Sequence, residues 1–197
     1  MIKKSVRRVS PLIMALVMTA CNSTPSLNVR MDASTILVLS DGTVQSVSVE
    51  EFNKNYYSAD ELGLYVNEII QSYVSKVGKD VVKKEDLKVE DGTATLVLSY
   101  ATVEDYSALN NIPTTLKTAV EFRNDESLPN TYYSVENKSE TTKESALSND
   151  NYKVLVTTDP GVMIQVEGKI KFYANANLVN KTTVEALEDG VTVVVFE

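Results

Sequence analysis

Two Asp-Gly pairs constrain the fold of this chain more than any other feature of its sequence. Asp41-Gly42 lies between two runs of strand-forming residues within 35–49, and Asp91-Gly92 lies between two more within 86–100. An Asp-Gly pair supplies the positive φ angles that a tight hairpin turn requires. The sequence therefore predicts two antiparallel β-hairpins in the first half of the chain.

A long amphipathic helix is predicted between the two hairpins, at about 59–77. Ser58 and Glu61 match a capping box at its start, and Gly78 stands where a helix ends in the left-handed conformation. The apolar residues recur at helical spacing and form one stripe: Leu62, Val66, Ile69, Ile70, Tyr73 and Val77. The order of hairpin, helix and hairpin indicates a small antiparallel sheet with the helix packed on one face.

Shorter elements are predicted in the rest of the chain. Short helices are expected at about 103–110 and 115–122, although the second segment fits a strand equally well. The polar residues of 123–150 indicate loops around one short strand at 132–135. Strands separated by turn residues are predicted at 152–158, 162–166, 169–173, 182–186 and 191–196. A third Asp-Gly pair, Asp189-Gly190, is either an independent turn or the trace of an internal repeat of about fifty residues.

These elements predict an α+β fold with two lobes. The N-terminal antiparallel hairpins packed on one long helix would form an α+β lobe at 35–124. An all-β lobe, sandwich-like or barrel-like, would occupy 151–197, joined to the first by a polar, loop-rich connection at 125–150. The hydrophobic fraction of 43% in 197 residues is ordinary for a globular protein and consistent with this fold.

The first twenty residues have the pattern of a secretory signal peptide. Two Lys and two Arg lie within 3–8, and the apolar stretch 11–20 follows them. About ten apolar residues span only ~15 Å as a helix, half of the ~30 Å hydrocarbon core of a bilayer. The stretch is therefore too short to be a stable transmembrane anchor, and residues 1–20 are predicted to be removed.

The apolar stretch ends in Met18-Thr19-Ala20-Cys21. These four residues resemble the lipobox of bacterial lipoproteins, in which the Cys thiol receives a diacylglyceryl group and becomes the mature N-terminus. The resemblance implies cleavage after Ala20, lipid attachment at Cys21 and a position on the extracytoplasmic face of the cell membrane. Met18 departs from the Leu that is usual there but keeps its apolar character. In its hairpins, capped helix and acidic β-rich tail, the chain also resembles uncharacterised surface lipoproteins of Gram-positive bacteria.

Cys21 is the single cysteine of the chain, so the chain forms no internal disulfide. Two alternatives to lipidation are a buried structural Cys after an ordinary first helix and cleavage to a freely secreted protein. The residues of 22–26 are typical of a linker and favour lipidation. Residues 21–34 are therefore predicted to be the lipidated Cys and a polar tether, and two or three acyl chains hold a protein on a membrane far better than one.

The charge of the chain limits its partners. Removal of residues 1–20 leaves 15 basic and 27 acidic residues, a net charge of −12. Such a surface repels nucleic acids and anionic lipid headgroups. We therefore expect no nucleic-acid partner, and we expect contact with the membrane through the N-terminal lipid.

The absence of histidine narrows the chemistry. It removes imidazole general bases, the Ser-His and Cys-His mechanisms and every His-containing zinc site. No phosphate-binding loop, dinucleotide fingerprint or Gly-x-Ser-x-Gly motif occurs. We therefore predict no catalytic residues, no metal and no cofactor. The alternative is a hydrolase of cell-wall or extracellular glycans that uses carboxylates alone. Its candidates are the acid pairs Glu50/Glu51, Glu85/Asp86, Glu104/Asp105 and Asp125/Glu126, which are predicted to lie at helix starts or in loops.

Two tyrosine pairs are the candidate ligand-binding residues, Tyr56 with Tyr57 and Tyr132 with Tyr133. Neighbours on a strand point to opposite faces, so one member of each pair is expected to face outward. The lack of catalytic motifs, the anchor and the sheet-rich lobes together favour a non-enzymatic binding, adhesion or envelope-assembly module. Its ligand would be a protein or a glycan at the cell surface, and the sequence leaves the oligomeric state open.

Overall fold

The structure is a computed structural model that describes residues 33–197. Within these residues the chain is mixed α+β and mostly β, with 42% strand and 21% helix. The predicted α+β class is therefore confirmed. The predicted signal peptide, Cys21 and most of the predicted tether lie outside the described residues.

Thirteen strands and four helices follow one another within 33–197. The strands are β1 (Thr35–Val38), β2 (Val44–Glu51), β3 (Val82–Glu90), β4 (Thr93–Tyr100), β5 (Thr114–Thr118), β6 (Thr131–Ser134), β7 (Ser139–Thr142), β8 (Lys153–Thr157), β9 (Met163–Val166), β10 (Ile170–Ala174), β11 (Ala176–Asn180), β12 (Thr183–Ala186) and β13 (Thr192–Phe196). The helices are α1 (Ala59–Val77), α2 (Val103–Asn110), α3 (Ala119–Phe122) and α4 (Lys143–Ala146).

Both predicted hairpins are confirmed. β1 pairs antiparallel with β2, and Gly42 in their loop has a φ of 90°. β3 pairs antiparallel with β4, and Asp91 and Gly92 have φ values of 49° and 75°. Positive φ at both positions is the geometry of a two-residue type I′ turn. Asp189-Gly190 instead lies between β12 and β13, which belong to different sheets, so the third pair does not close a hairpin.

The predicted long helix is confirmed as α1. Its first turn is capped by Ser58, whose Oγ accepts a 3.3 Å hydrogen bond from the amide of Glu61. Gly78 ends the helix with a φ of 73°. The predicted helix at 103–110 is confirmed as α2, with Thr102 as its cap.

The apolar stripe of α1 is narrower than predicted. Val66 and Ile70 are buried, whereas Ile69 and Val77 are exposed. The helix packs against the sheet along one line of side chains, and the residues beside that line turn away from it. Periodicity identifies the apolar side of a helix, but the width that becomes buried depends on the partner surface.

Several shorter elements differ from the sequence-based expectation. The segment 115–122 divides between a strand, β5, and a helix, α3. The polar segment 123–150 contains β7 and α4 besides the strand that was predicted there, now β6. All five strands predicted after residue 151 are confirmed as β8, β9, β10, β12 and β13. β11 was not predicted, because the asparagines at 175 and 177 indicate a turn and asparagine is depleted in strands.

The two sheets take strands from both halves of the chain. One sheet has the order β11-β12-β9-β1-β2-β4-β3, and the other has the order β5-β8-β13-β10-β6-β7. β9 lies beside β1 as a parallel neighbour, so strands from 151–197 extend the sheet of the N-terminal hairpins. Each sheet therefore combines strands from both sides of the predicted connection at 125–150, which differs from the predicted lobes. Alternation of side chains does not reveal which distant strands become neighbours.

The main apolar cluster lies between the two sheets. Ile36 and Ile164 contribute from the seven-stranded sheet, and Leu155 and Phe196 contribute from the six-stranded sheet. Each of these side chains is at most 2% exposed. Buried residues of α1 join the same cluster, so the long helix packs on the same side of its sheet as the second sheet does.

A second apolar cluster covers the other face of the six-stranded sheet. Val193 and Val195 alternate with the core-facing residues of β13 and point into it. Phe122 from α3 and Leu147, which follows α4, pack against them. The six-stranded sheet is therefore buried on both faces, which explains the continuous apolar run of β13.

Candidate functional site

Exposed apolar side chains concentrate on two surfaces of the described residues. Ten large apolar side chains within 33–197 are exposed, and six of them lie on α1 or just before it. Three others lie on β11 or just after β12. The six are Tyr56, Tyr57, Leu64, Tyr65, Ile69 and Val77, and the three are Leu178, Val179 and Leu187. Concentrations of this kind mark interaction sites, whereas single exposed apolar residues do not.

An aromatic group precedes α1 and consists of Phe52, Tyr56 and Tyr57. Tyr56 is 73% exposed and Tyr57 is 44% exposed. The ring of Tyr57 stacks on Phe52 at 4.7 Å and meets the ring of Tyr56 edge-on at 4.9 Å. One of the two tyrosines was expected to face outward, as on a strand. They lie in a turn instead, and both face outward.

A groove lies between α1 and α2. Tyr65, Ile69 and Tyr73 line it from α1, and Ala108 and Leu109 line it from α2. Its volume is about 420 Å³. Glu68, Ser72 and Lys76 complete the lining with polar groups. We call this feature the α1–α2 groove; its lining combines large aromatic surface with groups that can form hydrogen bonds.

A buried carboxylate fixes one wall of the α1–α2 groove to the other. The hydroxyl of Tyr73 donates a 2.9 Å hydrogen bond to Oδ1 of Asp105 in the first turn of α2. Oδ2 of Asp105 accepts a 2.8 Å hydrogen bond from Oγ1 of Thr102. Burial, followed by the bond to Asp105, raises the pKa of Tyr73 above its ordinary value. Tyr73 therefore keeps its proton at neutral pH and holds the two helices together.

The second tyrosine pair does not form a surface site. Tyr132 is 1% exposed and packs in the second apolar cluster with Phe122 and Leu147. Its hydroxyl has no hydrogen-bond partner among residues 33–197. The expectation that Tyr132 could bind a ligand is therefore wrong, because α3 and the segment after α4 cover that face of β6. Tyr133 points the other way, is half-buried, and has its ring 5.4 Å from the ring of Tyr173.

A second pocket of about 370 Å³ combines acidic and basic side chains. It is lined by the turn at 40–42, the start of α2 and the end of β5, and it includes Asp41, Glu104, Glu121, Lys117 and Lys153. Hydrogen bonds from Thr43 hold the pKa of Asp41 below its ordinary value, and hydrogen bonds from Thr118 do the same for the pKa of Glu121. A general acid at neutral pH requires the opposite shift.

Two of the four adjacent acid pairs lie where they were expected: Glu104 and Asp105 are in the first turn of α2, and Asp125 and Glu126 are in a loop. The other two do not, because Glu50 and Glu51 end strand β2, and Glu85 and Asp86 lie at the bulge of β3. Glu50 and Glu51 are consecutive residues of a regular strand, so their side chains point to opposite faces. Within the part of the chain that the structure describes, no group of three or more acidic residues is placed to hold a metal ion.

Sequence reasoning missed Tyr65 and the α1–α2 groove. Tyr65 is 61% exposed and Leu64 is 70% exposed, and neither belongs to the predicted stripe of α1. Apolar residues left outside the core-facing stripe of a helix are the signal that points to them. The groove itself depends on how α2 packs beside α1, and the spacing of residues within either helix does not determine that arrangement.

Comparison of the chain with protein-family models, with curated proteins and with solved structures finds no match. No helix within 33–197 combines the length and the hydropathy of a membrane span. Ala20 and Cys21, the predicted cleavage and lipidation positions, lie outside the described residues.

Proposed function

We propose that this chain is a lipid-anchored binding protein on the extracytoplasmic face of a cell membrane, and that the surface of α1 binds a protein ligand. The observation that carries the proposal is the concentration of exposed aromatic and aliphatic side chains on one helix and the turn before it. The lipobox-like residues and the short apolar stretch before Cys21 support the anchor. We propose no catalytic step.

The composition of the surface supports a protein ligand. Aromatic side chains supply a large contact area at low cost in conformational entropy, and tyrosine is enriched where proteins bind one another. The α1–α2 groove offers Tyr65 and Ile69 as apolar contacts, while Glu68 and Lys76 add charges of both signs at its lining. A peptide segment with apolar side chains and a few polar groups matches this arrangement, whereas a glycan platform most often uses tryptophan, which the chain lacks.

The anchor is tested by mass spectrometry of the membrane-bound protein made from the full chain. We expect an N-terminal peptide that begins at Cys21 and carries acyl chains. The Cys21→Ala variant should carry no acyl chain, and the neighbouring variant Asn22→Ala should be lipidated like the wild type. An intact leader on the wild-type protein, or an unmodified thiol at Cys21, would contradict the anchor.

The binding surface is tested by photo-crosslinking in intact cells. The photoreactive residue p-benzoylphenylalanine replaces Tyr65 in one variant and Asn67, an exposed polar residue of the same helix, in another. We expect a discrete adduct with a protein from Tyr65 and none from Asn67. The same adduct from both positions, no adduct from Tyr65, or an adduct that is a polysaccharide would contradict a protein-binding surface on α1.

A further inference from the structure

Three of the four outermost strands of the two sheets are protected against pairing with another chain. β3 has a bulge between Lys84 and Asp86. It also carries six charged side chains: Lys83, Lys84, Glu85, Asp86, Lys88 and Glu90. β7 is four residues long and carries Glu140. β5 carries Lys117 and packs against α2. Charges, bulges, short length and covering elements are the usual protections of a sheet edge.

The fourth edge strand, β11, lacks these protections, except for a bulge between Leu178 and Asn180. It has no charged residue and no proline. Leu178 is 38% exposed, and Val179, the extra residue of the bulge, is 50% exposed. Leu187, which is 40% exposed, lies at the start of β11, because its amide donates to the carbonyl of Asn175. The edge is therefore apolar along its length.

The backbone of β11 has free groups to offer. The amide of Ala186, which faces Ala176 across the β11–β12 pair, donates to the carbonyl of Val162 and so points away from β11. Ala176 and Ala186 are therefore a non-hydrogen-bonded pair. Because such pairs alternate with hydrogen-bonded ones along an antiparallel ladder, the N–H and C=O groups of Ala176 and Leu178 point away from β12. An extended segment placed alongside β11 can accept and donate hydrogen bonds at these residues.

We propose that β11 pairs antiparallel with β11 of a second copy of this chain, with Leu178 at the two-fold axis. The pairing joins two seven-stranded sheets into one continuous sheet. It also buries Leu178, Val179 and Leu187 of each copy against the same residues of the other. A two-fold interface is self-complementary, so one apolar edge without charge is sufficient on each copy.

The charges at the two ends of β11 favour this arrangement. Lys181 follows the strand at one end. Asp189 lies at the other end, where the side-chain amide of Asn175 donates a 2.6 Å hydrogen bond to its carbonyl. Antiparallel pairing about Leu178 brings Lys181 of each copy beside residue 175 of the other. Each end therefore places a basic residue of one copy near an acidic residue of the other, and this complementarity selects a second copy as the occupant.

Disulfide crosslinking tests the register of the pairing. In a hydrogen-bonded antiparallel pair the facing Cα atoms are about 5.5 Å apart, which is within the range of a disulfide. The purified full chain, in detergent, carries Leu178→Cys in one sample and Leu64→Cys, on the exposed side of α1, in a matched control. We expect oxidation to convert Leu178→Cys to a covalent dimer and to leave Leu64→Cys and the wild type monomeric. Equal crosslinking of both variants, or none of Leu178→Cys, overturns the proposal.

Sedimentation equilibrium measures the same association without a crosslink. We expect the wild-type chain to form a reversible dimer with a dissociation constant between about 5 and about 500 µM. An interface formed by one short strand from each copy is small, and small interfaces are weak in solution. Leu178→Lys places two like charges at the axis and should raise the dissociation constant at least about tenfold. Leu64→Lys should leave it unchanged within about a factor of two. A monomer at all concentrations, or equal effects of the two lysines, overturns the proposal.

Discussion

The hydroxyl of Tyr106 donates a 2.5 Å hydrogen bond to Oδ2 of Asp159, joining helix α2 to the turn that follows β8. Tyr106 is 4% exposed, and its ring meets the buried ring of Tyr100 edge-on at 5.3 Å. Burial and the neighbouring carboxylate raise the pKa of Tyr106, so the phenol keeps its proton. This bond ties one wall of the α1–α2 groove to the six-stranded sheet.

We predict that Tyr106→Phe destabilises the protein by about 1.5–3 kcal/mol, since a hydrogen bond to a charged group is worth about that much. The matched control is Tyr132→Phe, which removes a buried hydroxyl that has no partner within 33–197. It should change the free energy of unfolding by less than about 0.5 kcal/mol or stabilise the protein. Urea unfolding of both variants measures the difference, and equal losses would contradict the role of the bond.

Asp159 should make the stability of the protein depend on pH. Burial raises the pKa of Asp159 above its ordinary value, although the bond from Tyr106 opposes this. The folded state then binds the proton more tightly than the unfolded state, so this contribution to stability is present at low pH and is lost as the pH rises through the folded pKa. Asp159→Asn keeps an acceptor for Tyr106 and removes this dependence.

We therefore predict that Asp159→Asn gains stability relative to the wild type as the pH rises from about 4 to about 7. Urea unfolding midpoints at several pH values measure this difference. Asp80→Asn, in an exposed loop, should follow the wild type throughout. A difference between Asp159→Asn and the wild type that stays constant with pH would show that Asp159 titrates alike in the folded and unfolded states.

The cap of α2 has two functions, because Thr102 both caps the helix and contacts a buried carboxylate. Its Oγ1 accepts a 3.1 Å hydrogen bond from the amide of Asp105 and donates a 2.8 Å hydrogen bond to Oδ2 of the same residue. We expect Thr102→Ala to cost about 1–2 kcal/mol of unfolding free energy. Thr102→Ser keeps the hydroxyl and should restore most of that loss. If both variants lose the same amount, the methyl group and not the hydroxyl matters.

Gly168 should tolerate no side chain. Its φ is 148°, and a Cβ added there would lie 2.0 Å from the carbonyl oxygen of Glu197. Gly42 also has a positive φ, of 90°, but a Cβ there would meet nothing within 4 Å. We expect Gly168→Ala to cost more unfolding free energy than Gly42→Ala, by about 1–3 kcal/mol, because the backbone of the last strand must shift. Thermal unfolding of the two variants checks this, and equal losses would rule out the steric clash.

Local signals in the sequence predicted most of the helices and strands. They predicted few of the pairings between strands that are distant in the sequence. Ser58, Gly78 and the two hairpin turns carry their structural information within a few residues, so α1 and the hairpins were predicted closely. β11 was missed because asparagine is depleted in strands, and only its pairing with β12 makes it one. The parallel pairing of β1 with β9 joins residues more than a hundred positions apart, and no local pattern encodes it.

The residues of the candidate site were likewise predicted where local signals determine their exposure, and not where tertiary packing does. Tyr56 and Tyr57 were predicted to be candidates, and their exposure follows from a turn whose residues lie next to a helix cap. Of Tyr132 and Tyr133, one was predicted to face outward without a signal for which; α3 and Leu147 cover Tyr132. The short helix before Leu147 arises in a polar segment without apolar periodicity, so its burial of Tyr132 depends on tertiary packing that the pattern of 123–150 does not show.

The position of β13 has a consequence for biosynthesis. This strand lies between β8 and β10, and all five of its side chains are buried. A ribosome adds residues 192–196 after every other strand of the two sheets. Until they arrive, the nascent polypeptide has a gap in the middle of one sheet and cannot close its core. This order of synthesis suits the export that we propose, because the six-stranded sheet of the nascent chain stays open until residues 192–196 have been added.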